Sequence, residues 1–204
     1  MKTKLEHLAL GLILGPVAPI IGFLGAWWGT YAILPEKWIP LSMLLGLLAG
    51  ILVDAFFLKR WVGLAYRFDP KIWMAIYLFY AAGVFGFFMG LPVFNAALAI
   101  PAGTVIGGKL AHEKANDAQV KIAARKTSLF TTIVLAVICM ISASLALADP
   151  SIGTNLEGMF SLNFAVTPLM IWGIILIGDA ILLLINWWLT ALSTRLTYRF
   201  LRAE

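Results

Sequence analysis

Six apolar segments, at approximately residues 8–34, 39–58, 72–91, 93–111, 127–148 and 167–192, leave this chain few folds to choose from. A helix rises about 1.5 Å per residue, so roughly twenty residues cross a hydrocarbon core of about 30 Å, and every segment is close to that length or beyond it. No single water-soluble core can hide all six. Composition agrees: 62% of the 204 residues are hydrophobic and 12% charged, against about 45–50% and 25% in a soluble domain. Disordered, disulfide-stapled secreted and ordinary soluble classes are excluded. The expected fold is all-α: a polytopic integral membrane protein, one transmembrane domain over residues 1–204, built as a bundle of six transmembrane helices with both termini cytoplasmic.

The scarce charges give that orientation. With the N-terminus inside, the cytoplasmic segments hold Lys2, Lys4, Lys59, Arg60, Arg67, Lys71, Lys109, Lys114, Lys121, Arg125, Lys126, Arg195, Arg199 and Arg202, and the outer segments hold only Lys37. Fourteen of fifteen basic residues on one side is what the positive-inside rule asks of a protein of a cell inner membrane. Trp27, Trp28, Trp38 and Trp172 fall near the outer interface, and Trp61 and Trp73 near the inner one. The net charge of +5 follows from the same loop bias, so no nucleic-acid partner is implied. Met1-Lys-Thr-Lys has the outline of a signal-peptide start, but the apolar run that follows is too long and lacks a small-x-small cleavage site. The single Cys139 precludes an intrachain disulfide.

The fourth segment is short, carries Pro101, and follows the third through a tight turn at Gly90-Leu91-Pro92; a re-entrant loop is the alternative. If it did not cross, Lys109, Lys114, Lys121, Arg125 and Lys126 would face outward, so the charges favour crossing. Residues 109–126 read as helical extensions of spans four and five, with Asp117 four residues before Lys121. The outer stretch 149–167, with Leu156, Met159, Phe160, Leu162 and Phe164, is expected to lie in the interface as a short amphipathic helix, the alternative being a cover over an outer opening. Gly15-Pro16 and Pro19 predict a kink in span one. Glycine pairs at 11/15, 25/29, 46/50, 86/90 and 103/107 suit close helix packing in lipid. Gly22-x-x-Gly25-x-x-x-Gly29 recurs as Gly83-x-x-Gly86-x-x-x-Gly90, which suggests a parallel repeat of helical hairpins.

An ionisable side chain at the bilayer centre costs about 2.5–3.5 kcal/mol on the insertion scale, which makes each one a functional candidate. There are two, Asp54 and Asp179. Asp179 lies mid-span, with Asn186, Thr190, Ser193 and Thr197 on the same helix face. Ser128, Thr131, Thr132, Cys139 and Ser142 make a second stripe in span five, and Ser42, Gly46, Gly50 and Asp54 recur every fourth residue in span two. Asp179, Asn186, Asp54 and Ser142 are therefore the candidate ligand- or ion-binding residues. Asn95 is read as the cap of a tight hairpin. No catalytic residue, metal site or cofactor is expected, since His7 and His112 are far apart and no metal-ligand spacing, nucleophile elbow or phosphate-cradling glycine loop is present.

Size, helix count, orientation and the Gly46-x3-Gly50-x3-Asp54 stretch resemble the substrate-binding subunits of energy-coupling-factor vitamin importers. The Ala-x-x-x-Ala docking motif of their first helix has no counterpart here, where glycines and prolines stand instead. The resemblance implies an ATPase module and a membrane coupling partner, with residues 109–126 as a contact. The expected function is binding or translocation of a small solute or ion through a polar interior. The alternatives are a non-transporting assembly or scaffold subunit packed against another membrane protein, and a small intramembrane enzyme acting on lipid.

Overall fold

The structure, a computed structural model, describes residues 2–88 and 90–202, with backbone alone at Lys2, Thr3, Met159 and Phe160. The side chains of Lys2, Met159 and Phe160, used above in the charge count and the outer-loop reading, thus lie outside the described residues. Among the described residues there is no strand. The helices are α1 (Lys2–Leu14), α2 (Val17–Tyr31), α3 (Ile39–Leu64), α4 (Pro70–Phe87), α5 (Val93–Ala96), α6 (Ala99–His112), α7 (Asp117–Ala148), α8 (Ile152–Phe160) and α9 (Pro168–Arg202).

Six stretches are long and apolar enough to cross a membrane: Lys4–Tyr31, Glu36–Arg67, Pro70–Phe87, Val93–His112, Asp117–Ala148 and Pro168–Arg202. Large apolar side chains are exposed while a small polar cluster is buried. Leu169, Phe87, Ile33, Phe56 and Trp28 are 75% exposed or more, whereas Ser128, Thr131, Asn186, Thr190 and Thr194 are fully enclosed. An exterior this apolar is stable in lipid and not in water. As candidate spans, these helices support a multi-pass membrane protein.

Helix ends follow local chemistry. Pro16 has no N–H to donate, so α1 gives way to α2 at Gly15-Pro16, and bonds from Gly15 N to Gly11 O (2.8 Å) and from Ile20 N to Pro16 O (3.0 Å) carry the chain through the kink. Pro101 acts similarly: between α5 and α6 the bonds tighten to a three-residue spacing, Leu98 N to Asn95 O and Ile100 N to Ala97 O, both 3.1 Å. At the end of α6, Lys114 turns left-handed (φ 51°). Ala115 N then reaches Leu110 O (3.0 Å) and Lys114 N reaches Ala111 O (3.1 Å), a Schellman closure with Leu110 packed near Ala115.

Two residues later Asn116 opens α7 with a reciprocal capping box: its Oδ1 accepts from Gln119 N (2.9 Å) and Gln119 Oε1 accepts from Asn116 N (2.8 Å). The segment 109–126 is therefore two helix ends joined by a short capped turn. Residues 149–167 contain the expected short helix, α8. Its entry is held by Asp149, whose carboxylate accepts from Ser151 Oγ (2.7 Å) and Ser151 N (2.9 Å); these bonds hold its pKa below the ordinary value.

The chain divides into two compact units, residues 1–73 and 74–204. In the first, α2 and α3 pack through small residues. A Cβ on Gly22 would collide with the Gly46 carbonyl and one on Gly46 with the Gly22 carbonyl, while Gly50 meets the backbone of Ala18 and Pro19. Thr30 and Ser42 hydroxyls bond across the same pair (2.8 Å). In the second unit Gly103 and Gly107 of α6 bring its backbone onto α9, against Thr190, Thr194 and Tyr198.

The remaining expected glycine contacts are not made. Within their own units nothing approaches Gly11, Gly25, Gly29, Gly83 or Gly86, and Gly15 meets only its own helix and Leu58. The glycines of the suggested repeat also play different parts. Gly22 is a packing residue and Gly83 is not, while Gly90 lies outside α4, at a φ of +83° that a side chain would strain.

Candidate functional site

The two polar stripes expected in spans five and six face one another. Ser128 Oγ donates to the Trp187 carbonyl (3.2 Å), the Thr131 and Thr190 hydroxyls share a bond (3.0 Å), and Thr132 Oγ1 donates to Asn186 Oδ1 (3.4 Å). Further along, the Cys139 thiol and the Asp179 carboxyl stand beside one another. As positions on α7 climb from 131 through 132 to 139, their neighbours on α9 descend from 190 through 186 to 179, the register of an antiparallel pair. Thr190 and Thr194 also donate back to the carbonyls of Asn186 (2.9 Å) and Thr190 (2.8 Å), so their hydroxyls need no water.

Asp179 sits partly buried in the middle of α9 and makes no ion pair among the described residues. Two turns further along the same face, Asn186 is fully enclosed, and its Nδ2 finds no hydrogen-bond acceptor although the Tyr77 side chain of α4 stands beside the amide. A buried donor without a partner costs about 1–3 kcal/mol, which a bound acceptor would recover. Ser142, one turn beyond Cys139 on α7, is partly buried. The structure thus gathers Asp179, Asn186 and the neighbours of Ser142 onto one seam.

Asp54 belongs to the other unit. It lies one turn after Gly50 on α3, partly buried, with Oδ1 enclosed and unpartnered. No group of three or more metal-type ligands occurs among the described residues.

Two expectations are corrected. Asn95 caps nothing: it lies inside α5, 2% exposed, and its Nδ2 donates to the Ala81 carbonyl (2.7 Å), so it ties α5 to α4. Asp117 pairs with Arg202 (3.2 Å) instead of Lys121, because the antiparallel register of α7 and α9 brings the last turn of one beside the first turn of the other.

Sequence reasoning also missed three residues. Thr194 and Tyr198 continue the period of four from Asn186 and Thr190, a signal that was legible. Tyr77 carried none, since an aromatic residue in an apolar span is ordinary core. Comparison with protein-family models, with curated proteins and with solved structures returned no match. The functional reading therefore rests on the residues of the seam.

Proposed function

We propose that this is a multi-pass protein of a cell inner membrane, both termini cytoplasmic, that binds or translocates a small solute or ion along the α7–α9 seam. The observation that carries the reading is Asp179: a carboxyl at mid-span that stands beside the Cys139 thiol and whose charge no described cation balances. Such a group is stable when it holds a proton or faces a bound cation. The unpaired Asn186 amide on the same face offers a donor to the same ligand. Asp54 and Ser142 are the secondary candidates, and an ATPase or membrane partner would dock at the capped turn within 109–126. The basic residues on one side of the spans support the orientation.

The test is the protonation of Asp179. Infrared difference spectra of the full chain in nanodiscs, recorded across pH and with added sodium or potassium, should contain a carboxylic-acid carbonyl band that Asp179→Asn removes. A spectrum unchanged by the substitution and by both cations would defeat the site. In a Cys139→Ala background, a membrane-impermeant thiol reagent should label Asn155→Cys but not Asp117→Cys in intact cells, and the reverse pattern would overturn the orientation. A scaffold subunit is the second reading, favoured by the mutual bonding of Ser128, Thr131, Thr132, Asn186 and Thr190, which stiffens the pair with no ligand present.

A further inference from the structure

Below the seam, where α7 begins and α9 ends, lies a groove of about 620 Å³ lined by Asp117, Val120, Lys121, Arg195, Tyr198, Arg199 and Arg202. Its charges are uneven. Four cations face one carboxylate, and that carboxylate is engaged by Arg202 alone (3.2 Å). Lys121, Arg195 and Arg199 make no ion pair among the described residues.

The wall is built. Tyr198, 3% exposed, donates its hydroxyl to the Ala115 carbonyl (2.5 Å) and accepts from Arg202 Nη1 (2.5 Å), and the Arg202 guanidinium lies over the Tyr198 ring (5.4 Å). Arg195 and Arg199 stand one turn apart on the face of α9 that Tyr198 anchors, which fixes a spacing for two anionic groups.

Depth identifies the ligand chemistry. The apolar run of α9 ends near Leu192, so Arg195 lies about 4–5 Å beyond it and Arg199 about 10 Å beyond it. The headgroup layer adds about 5–8 Å to each side of the hydrocarbon core, so Arg195 starts inside it and Arg199 just beyond it, within reach of a long side chain. Basic pockets between helices on the cytoplasmic side suit multiply charged lipid headgroups. One phosphate would leave most of the groove's excess charge unanswered, whereas two would answer Lys121, Arg195 and Arg199 more fully.

We propose that this groove binds the headgroup of an anionic phospholipid carrying two phosphates, with Arg195, Arg199 and Lys121 as the phosphate contacts and Arg202 positioned by Tyr198. The site is independent of any solute at Asp179. It requires only that the α7–α9 ends reach the membrane surface.

The experiment uses the full chain purified in neutral detergent and offered cardiolipin, phosphatidylglycerol or phosphatidylcholine, with bound lipid counted by native mass spectrometry. Cardiolipin should be retained over the other two. Arg195→Gln and Arg199→Gln should each weaken its retention about fivefold, and the pair about twenty-five-fold. Arg199→Lys should lose less than Arg199→Gln.

The charge-matched control Lys59→Gln with Arg60→Gln, on α3, should change retention less than twofold. An equal loss in that control would mean general surface attraction and overturn the site. So would retention unaltered in the groove pair. Displacement of cardiolipin by inorganic pyrophosphate, with no preference among the lipids, would transfer the groove to a soluble diphosphate and refute the lipid. Burial of Cys139, followed by its reaction with a fluorogenic maleimide on heating, verifies that each variant is folded.

Discussion

Replacing Gly103 by alanine tests whether α6 and α9 are held by backbone contact. The new Cβ would overlap Ser193 Oγ and lie 2.6 Å from the Thr190 carbonyl oxygen and 2.9 Å from the Thr194 nitrogen. A hydroxyl can rotate away; a carbonyl and an amide in the middle of a helix cannot. Moving from 2.6 Å to the roughly 3.4 Å of ordinary contact requires the helices to part by about 0.8 Å, and gaps of that size forfeit a quarter to a half of each dispersion contact.

Overpacking costs about 1–3 kcal/mol, and the better helix propensity of alanine returns up to about 1 kcal/mol, so the net loss is about 1–2 kcal/mol. For a chain of this size that lowers Tm by about 2–8 °C. The assay is built into the sequence: Cys139 is the single cysteine and 3% exposed, so a fluorogenic maleimide reads its release on heating. Gly173→Ala, on α9 where a Cβ meets nothing, should leave Tm unchanged or raise it. Adding Ser193→Ala to Gly103→Ala should not restore stability, because the limiting contacts are backbone. Equal melting of Gly103→Ala and Gly173→Ala, or full rescue by Ser193→Ala, would refute the reasoning.

Two further outcomes follow from single hydrogen bonds. Asn95→Ala removes the link from α5 to the Ala81 carbonyl (2.7 Å) and should cost about 1–3 kcal/mol; amide exchange should quicken in α4 while α9 stays protected, and a uniform change would contradict a local tie. Asp149 has its pKa held down by Ser151, so its stabilising contribution is present above the ordinary carboxylate value and is lost as pH falls through the lowered one. In Ser151→Ala a carbon-13 NMR titration should move the Asp149 midpoint upward, and an unmoved midpoint would dismiss the hydrogen bonds as its cause.

Much of the fold was legible because bilayer crossing is a property of length and hydropathy, both of which are local. The kink at Gly15-Pro16, the short helix α8 and the helical ends around 109–126 were likewise local, set by a missing N–H, an apolar pattern and a capping box. The glycines were not. Gly-x-x-x-Gly has the same form at 25/29 and at 103/107, yet only the second is pressed against a neighbour, because which face meets another helix depends on elements far away in the chain. Asn95 was misread for a related reason: at a tight turn an asparagine can bond its own backbone or the next helix, and the distance to Ala81 decides it.

By itself the sequence determined a helical, multi-pass membrane architecture and two candidate carboxylates, since burying apolar length and the expense of charge in lipid are written residue by residue. Only the tertiary structure decided that Asn186 and Thr190 are sealed against α7, that Asp179 meets Cys139, and that Asp117 answers Arg202. Those are properties of the register between two antiparallel helices. Periodicity tells which side chains share a face, and packing alone tells which face they meet.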